Sequence, residues 1–536
     1  MGFCGRVSFM KLDAATLPND PEELKSLLRD QEERYRSRVE YLEEKVRLLT
    51  QALFGKKSEK RPVPDEDGPR QLHMFHMFNE AEALVEQEKE PEPLTVPAHT
   101  RRKPKRKPLP AGLPRVEVIH DIPEAKKVCA CGAHLSRMGE EVNEKLDMVP
   151  ARIQVIRNIR PKYACKACEG VEGEGPAVTS ASLPPEIIPK GMATPGLLAH
   201  IAVSKYQDAL PLYRQEKIFS RQGIDIKRST MAGWMVKSAE ACSPLMALLQ
   251  KELLSGPLIN VDETPVQVLN EAGRQNTAKS YMWVFRGGDP EKPVLLFRYH
   301  PTRSVDVPRE ILRGYEGYLQ SDALPVYDAL GRELPGIVLV GCFAHARRNF
   351  VKVVDARGHE KKKKIGSAEV AIDYIRKLYA IEKIIRQKNL SPAEIVEVRR
   401  EKSKPLLDQF REWVGRRATL TPPKGLLGKA LNYTATHWSK LVRYIENGHI
   451  TPDNNLAENA IRPFVLGRKN WLFHGHPNGA HAASTLYSLI ETAKACGLEP
   501  YGYLRLVFEK IPHATCEDDH RALLPQNIKA DRLSLS

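Results

Sequence analysis

The residues with most chemistry to offer lie far apart in the chain. The run Asn454-Asn455-Leu456-Ala457-Glu458-Asn459-Ala460-Ile461-Arg462-Pro463-Phe464 holds one carboxylate, Glu458, among amides and a base, and continues to Arg468, Lys469 and Trp471. It reads as a polar helix aimed at negative charge. Two aspartates lie upstream: Asp262 within an apolar run that reads as a strand, and Asp322 at the end of another. Three carboxylates suit a hard divalent ion, because magnesium takes oxygen ligands and leaves room for water and substrate phosphate. Two such ions about 3.5–4 Å apart activate the attacking oxygen and stabilise the leaving one in phosphoryl transfer. Asp262 is the best bridging ligand because its strand belongs in the middle of a sheet. Glu263 points to the opposite face of a regular strand, and Asp328 reads as a surface helix residue.

Glu458 has a second reading. Asn455-Leu456-Ala457-Glu458 fits a capping box, in which the glutamate only satisfies its own helix terminus. An earlier start, with Thr451 as cap and Pro452 at the first helical position, places Glu458 in the second turn and frees it for a metal. Arg462 then follows one turn on, on the same face. His345, near Cys342, suggests a second zinc less than a packed or substrate-facing histidine.

The elements that must position these acids can be read in order. Residues 258–262 lead into Val266-Gln267-Val268 as a first strand. Tyr281-Met282-Trp283-Val284-Phe285 and Val294-Leu295-Leu296-Phe297-Arg298-Tyr299 are the second and third. A helix near residues 307–312 precedes a fourth strand ending at Asp322. Ile337-Val338-Leu339-Val340-Gly341-Cys342 is a fifth, running into a helix with Arg347 and Arg348. This is the order of an RNase H-like core, in which the first and fourth strands are neighbours. The core is expected over residues 257–475 with a helical insertion at about 352–448, followed by a helical segment at 476–512 and a tail.

Several modules precede the core. Over residues 20–55, Leu28, Tyr35, Leu42 and Leu49 recur every seven residues, with Val39, Val46 and Leu53 four after the last three. That is the seam of a parallel coiled coil, or of one amphipathic helix packed on its own chain. Residues 56–113 form a linker too polar to fold alone; its basic heptapeptide Arg101-Arg102-Lys103-Pro104-Lys105-Arg106-Lys107 is a phosphate-binding arm or a solvated tail. Within residues 114–178, Cys129, Cys131, Cys165 and Cys168 can give four thiolates to a tetrahedral zinc, or remain unligated thiols. Between them, Arg152-Ile153-Gln154-Val155-Ile156-Arg157-Asn158-Ile159-Arg160 alternates as a strand with one basic face. Residues 190–250 are helical, either a helix-turn-helix turning at Gly223 or a plain connector.

Composition narrows the partners. Lys and Arg outnumber Asp and Glu by 82 to 67, a net charge of +15, which favours a polyanion such as nucleic acid. No run approaches the roughly 18 apolar residues of a membrane span. Nine cysteines in so long a chain do not make a secreted disulfide scaffold.

Longer strings add a resemblance. Asp262-Glu263-Thr264-Pro265, Gly341-Cys342-Phe343-Ala344-His345-Ala346-Arg347-Arg348, the stretch 454–473 and Tyr487-Ser488-Leu489-Ile490-Glu491-Thr492-Ala493-Lys494 resemble motifs of insertion sequence 66 family DDE transposases. The likeness runs to about Leu506. It implies a triad of Asp262, Asp322 and Glu458 and magnesium- or manganese-dependent cleavage at transposon ends. It further implies strand transfer into double-stranded target DNA. Arg347, Arg348, Arg462, Arg468 and Lys469 become the expected DNA contacts. Such an enzyme is expected to be bacterial, cytoplasmic and nucleoid-associated, to act as a homo-oligomer, and to leave room for companion proteins of its element. One departure concerns the cysteine module: Val128 stands where the family's outer cysteine would be, so Cys129 substitutes or zinc is held weakly. A regulator with an inactive core, and a nuclease that cuts without joining, are the competing functions.

Overall fold

The computed structural model describes residues 20–54, 153–164, 178–356 and 366–533. The linker at 56–113 and the four cysteines of the expected zinc module lie outside these residues. The chain divides into two compact units, residues 90–184 and the remainder.

In the smaller unit, β1 (Lys162–Ala164) pairs antiparallel with β2 (Val178–Ser180). The strand expected at residues 152–160 is not formed: residues 153–160 have no regular structure. Val155 is 89% exposed and Ile159 77%. Alternation predicts a strand only where one face has something to bury against.

The larger unit begins with helix α1 (Pro21–Phe54). Four helices then form a layer: α2 (Pro195–Tyr206), α3 (Leu212–Arg221), α4 (Arg228–Ala241) and α5 (Ser243–Leu253). Thr194 caps α2 through the Leu197 amide at 3.3 Å. Between α3 and α4 the chain turns at Gly223, whose φ of +78° suits a residue without Cβ.

A six-stranded sheet follows. β3 (Leu258–Val268), β4 (Lys279–Gly287), β5 (Val294–His300), β6 (Gly317–Gln320) and β7 (Ile337–Val340) lie in the order β5-β4-β3-β6-β7, and β8 (Phe473–His474) pairs with the end of β3. β3 and β4 are antiparallel, whereas β6 and β8 run parallel to β3. The first and fourth strands of the sheet in chain order are therefore neighbours. Crossovers use α6 (Asp306–Ile311) and α7 (Pro325–Glu333). The sheet is apolar on both faces, as covered strands must be.

Beyond β7, α8 (Phe343–Ala356) leads into the helical insertion: α9 (Ser367–Gln387), α10 (Pro392–Val398), α11 (Lys404–Leu420), α12 (Leu426–Thr436) and α13 (Trp438–Leu441). The insertion has its own core, with Phe350, Ile375, Leu378, Phe410 and Leu431 at its centre. A buried ion pair ties it together. Arg399, 2% exposed, meets Glu382 through two hydrogen bonds of 2.8 and 2.7 Å and donates to the Tyr444 carbonyl at 2.7 Å. Arg399→Ala leaves a buried carboxylate uncompensated, so the chain should lose about 3–5 kcal/mol of stability in denaturant titration. An unchanged midpoint would contradict this.

The chain returns to the sheet with α14 (Asn455–Trp471), then α15 (Pro477–Ala495), α16 (Pro500–Lys510) and α17 (Glu517–Ala522). α15 covers the edge strand: Ser488 and Thr492 hydroxyls accept the amides of Phe297 and Leu295 at 2.7 and 3.0 Å. That satisfies groups an open edge would leave to another chain. The segment past Pro512, expected as a tail, is packed. Leu524 is fully buried, and the Leu523 carbonyl accepts from the Tyr503 hydroxyl at 3.2 Å. Short helices with few apolar residues carry too weak a periodicity to be read.

Candidate active site

Asp262 lies on β3, in the middle of the sheet. The parallel register pairs Leu258 with Tyr318 and Asn260 with Gln320. Continued two residues, it sets Asp262 opposite Asp322. Asp322 lies just past β6, which ends at Gln320, so it belongs to the loop after the strand and not to the strand itself. Glu458 comes from α14, which packs on β3 and β4.

Hydrogen bonds fix how α14 enters. Asn454 precedes it and spends its side chain on the sheet, donating to the Val261 carbonyl at 2.8 Å and accepting from Asn260 at 3.2 Å. The Pro452 carbonyl accepts from the Phe343 amide at 2.8 Å. These tertiary bonds hold residues 451–454 out of the helix, so the expected start at Thr451-Pro452 is wrong. Glu458 lies in the first turn, not the second. It is not a capping glutamate either, since Asn454 is the cap and Ala457 stands three residues on.

The electrostatics tie the acids together. Asp262 is half-buried, and its carboxyl is held well above the usual carboxylate range, first by burial and then by the charges of Glu263, Glu458 and Asp322. The Glu458 carboxyl is 4% exposed as a residue and is raised mainly by burial, with Arg348 and Arg462 pulling it down and Asp453 pushing it up. Carboxylates so placed ionise together only with a cation among them. Their donors are all oxygen, which fits a hard divalent ion. Glu263 is committed elsewhere: Arg303 donates to it, and the Tyr327 hydroxyl does so at 2.6 Å. Asp328 pairs with Lys440.

The structure adds a neighbour set to Glu458. Cys342, His345 and Glu458 bring one ligand atom each within 4.8 Å of one another. His345 Nδ1 and Arg348 Nη2 each lie 3.8 Å from a Glu458 oxygen, and Arg348 Nη1 lies 3.1 Å from His345 Nε2. A guanidinium only donates, so Nε2 accepts and Nδ1 carries the proton toward Glu458. Cys342 is fully buried, its thiol pushed up by burial and then by Glu458, and its Sγ accepts the Asn454 amide at 3.3 Å. The three-residue spacing of His345 and Arg348 puts those two on one helix face, but their meeting with Glu458 depends on α8 and α14 coming together.

The basic residues separate. Arg347 is 6% exposed and lies in the inward stripe of α8 with Phe343, Ala346 and Phe350. Its expected DNA contact is therefore corrected: a guanidinium inside the fold does not reach a phosphate. Arg348 and Arg462 are half-buried beside Glu458. Arg468 lies 3.4 Å from the Thr264 hydroxyl, and Lys469 is exposed. No helix among the described residues is long and apolar enough to cross a membrane.

Comparison with known proteins agrees along the chain. Residues 190–482 match the Transposase IS66 family. Residues 126–169, with all four module cysteines, match the zinc-finger binding domain of transposase IS66. Residues 41–118 match the Transposase C of IS166 homeodomain and 488–526 the IS66 C-terminal element. The uncharacterized protein y4jD of Sinorhizobium fredii is 34% identical over 436 residues, 79% of this chain and 82% of that protein. The uncharacterized protein y4qI of the same organism is 33% identical over 450 residues, 80% of each. A family match over more than half the chain, between a matched zinc finger and a matched C-terminal element, leaves one assignment: the chain belongs to the IS66 family of transposases.

Proposed function

We propose that this transposase cuts DNA at transposon ends and joins it to target DNA, using Asp262, Asp322 and Glu458 on an RNase H-like core. One observation carries the reading: Asp322 and Glu458, brought from two other elements, both act electrostatically on the half-buried carboxyl of Asp262, together with its neighbour Glu263. Asp262, which interacts electrostatically with both other acids, would be the shared ligand, and Asp322 and Glu458 would complete the set. Magnesium or manganese bound there supplies activation of the attacking oxygen and charge stabilisation of the leaving one. The chain's own part is placement. β3 and β6 hold the aspartates in register, and the Asn454 bonds fix the first turn of α14. Arg348 and Arg462 partly offset the burial that raises the Glu458 carboxyl.

Around this site, Arg348, Arg462, Arg468 and Lys469 are the phosphate contacts, with the zinc finger and the α3–α4 pair as end-binding modules. Zinc in the finger, a homo-oligomer joined through α1, companion proteins of the element and a bacterial cytoplasmic, nucleoid-associated setting belong to the same proposal. Binding to end DNA should weaken steeply with salt, each neutralised phosphate adding about −0.9 to the log–log slope. Titrations at several salt concentrations check this, and a flat dependence contradicts it. The activity itself is tested with a DNA carrying the element's own ends. Cut and joined products are expected with magnesium; cutting without joining would favour the nuclease reading, and binding alone the regulator.

A further inference from the structure

α1 is turned inside out compared with an ordinary surface helix. Leu28, Tyr35, Val39, Leu42 and Leu49 are between 48 and 60% exposed. Its polar side meets the catalytic unit instead. Ser37, 3% exposed, accepts from Arg417 at 3.2 Å, and Glu33 pairs with the same guanidinium. A Glu44 oxygen accepts the amide of Leu426, the first residue of α12, at 3.0 Å. Arg47 donates to the carbonyl of Ala356, the last residue of α8, at 3.2 Å. An anion therefore sits on a helix N-terminus and a cation on a helix C-terminus, the sense that the helix dipoles favour.

We infer that α1 is a rigid strut: its polar face is fixed to the insertion, and its apolar seam receives α1 of a second copy in parallel, so that pairing sets the position of two catalytic cores. The seam itself argues for a second copy. Residues spaced by seven meet their own equivalents in a parallel pair, so Leu28, Tyr35, Leu42 and Leu49 are self-complementary. A continuous apolar stripe of this length is not left to water by a stable monomer. The mounting adds a route to the chemistry. α8, held at its last carbonyl by Arg47, carries His345 and Arg348 beside Glu458 in its first turns. Its 14 residues make about 21 Å of stiff helix between seam and site. The pairing through α1 and its service to two transposon ends rest on the proposed function; the mounting of α1 on the insertion and on α8 does not.

The test uses the full zinc-loaded chain with an encoded spin label at position 412, on the exposed side of α11. Sedimentation should give a dimer, Leu42→Glu should turn it into a monomer, and the label-to-label distance should be narrowly distributed. Glu44→Ala combined with Arg417→Ala should keep the dimer and broaden that distribution. Because Arg417 is buried, Glu44→Ala alone is the second variant if the double one misfolds, and it should broaden the distribution in the same direction. A monomeric wild type, a broad wild-type distribution, or mount variants as narrow as wild type would each overturn the strut. Loss of cutting with the dimer and its distance intact would count against the catalytic reading and leave the strut standing.

Discussion

Asp262→Asn, Asp322→Asn and Glu458→Gln are each expected to lower cutting and joining by about 10³-fold or more while leaving the fold and end binding in place. The amide keeps the shape of the carboxyl and removes the charge that holds a divalent ion. Manganese should restore part of the activity, being more tolerant of an imperfect ligand set. Stability should move the other way. The Asp262 carboxyl is raised on folding, by burial and by three acidic neighbours. A group harder to ionise in the folded chain than in the unfolded one loses stability as pH rises above the ordinary carboxylate range. At neutral pH and without divalent ions, Asp262→Asn should therefore melt higher than wild type, and more so at pH 8 than at pH 5. Added magnesium should raise the wild-type midpoint and leave that of the variant unmoved. Calorimetry with and without magnesium checks both; a variant that melts lower under all conditions would make Asp262 a structural residue.

The second large effect is expected at the cysteine module. Cys165→Ser should release about one zinc per chain and unfold residues 114–178, because structural zinc contributes on the order of 10 kcal/mol of folding free energy to such modules. The matched zinc-finger segment and the four cysteines motivate it. Val128, beside Cys129, makes the first pair tighter than the usual spacing, so Cys129→Ser separates the two readings of that departure. If Cys129 is a ligand, it should release zinc as Cys165→Ser does. Metal analysis finding no zinc in the purified wild-type chain would end this account of the module.

How much of this could be read beforehand depended on where each residue's partners are. The strands of the sheet are apolar runs bounded by turns, so they were legible, and with them Asp262 inside the first and Asp322 just past the end of the fourth. The start of α14 was not. Thr451-Pro452 is a good local helix start, but the Pro452 carbonyl and the Asn454 side chain bond to Phe343, Val261 and Asn260, residues more than a hundred positions away. Local capping preferences lose to such tertiary bonds. Arg347 and Arg348 look alike as a basic pair, yet helix phase separates them: one falls in the stripe of Phe343 and Phe350, the other faces Glu458. That distinction was available from spacing by three and four. The heptad of α1 was legible, whereas its docking by the polar face was not, because charged residues on a helix ordinarily mean water. The Cys342–His345–Glu458 set needed α8 and α14 to meet, which no local pattern announces.

That last set also sharpens the central claim, because it offers an ion a different home. Crystals of the chain soaked with manganese and measured for anomalous scattering decide between them. The account predicts a peak within about 2.2 Å of carboxylate oxygens of Asp262 and of Asp322 or Glu458. A peak on Cys342 and His345 alone, with none at Asp262, would contradict it.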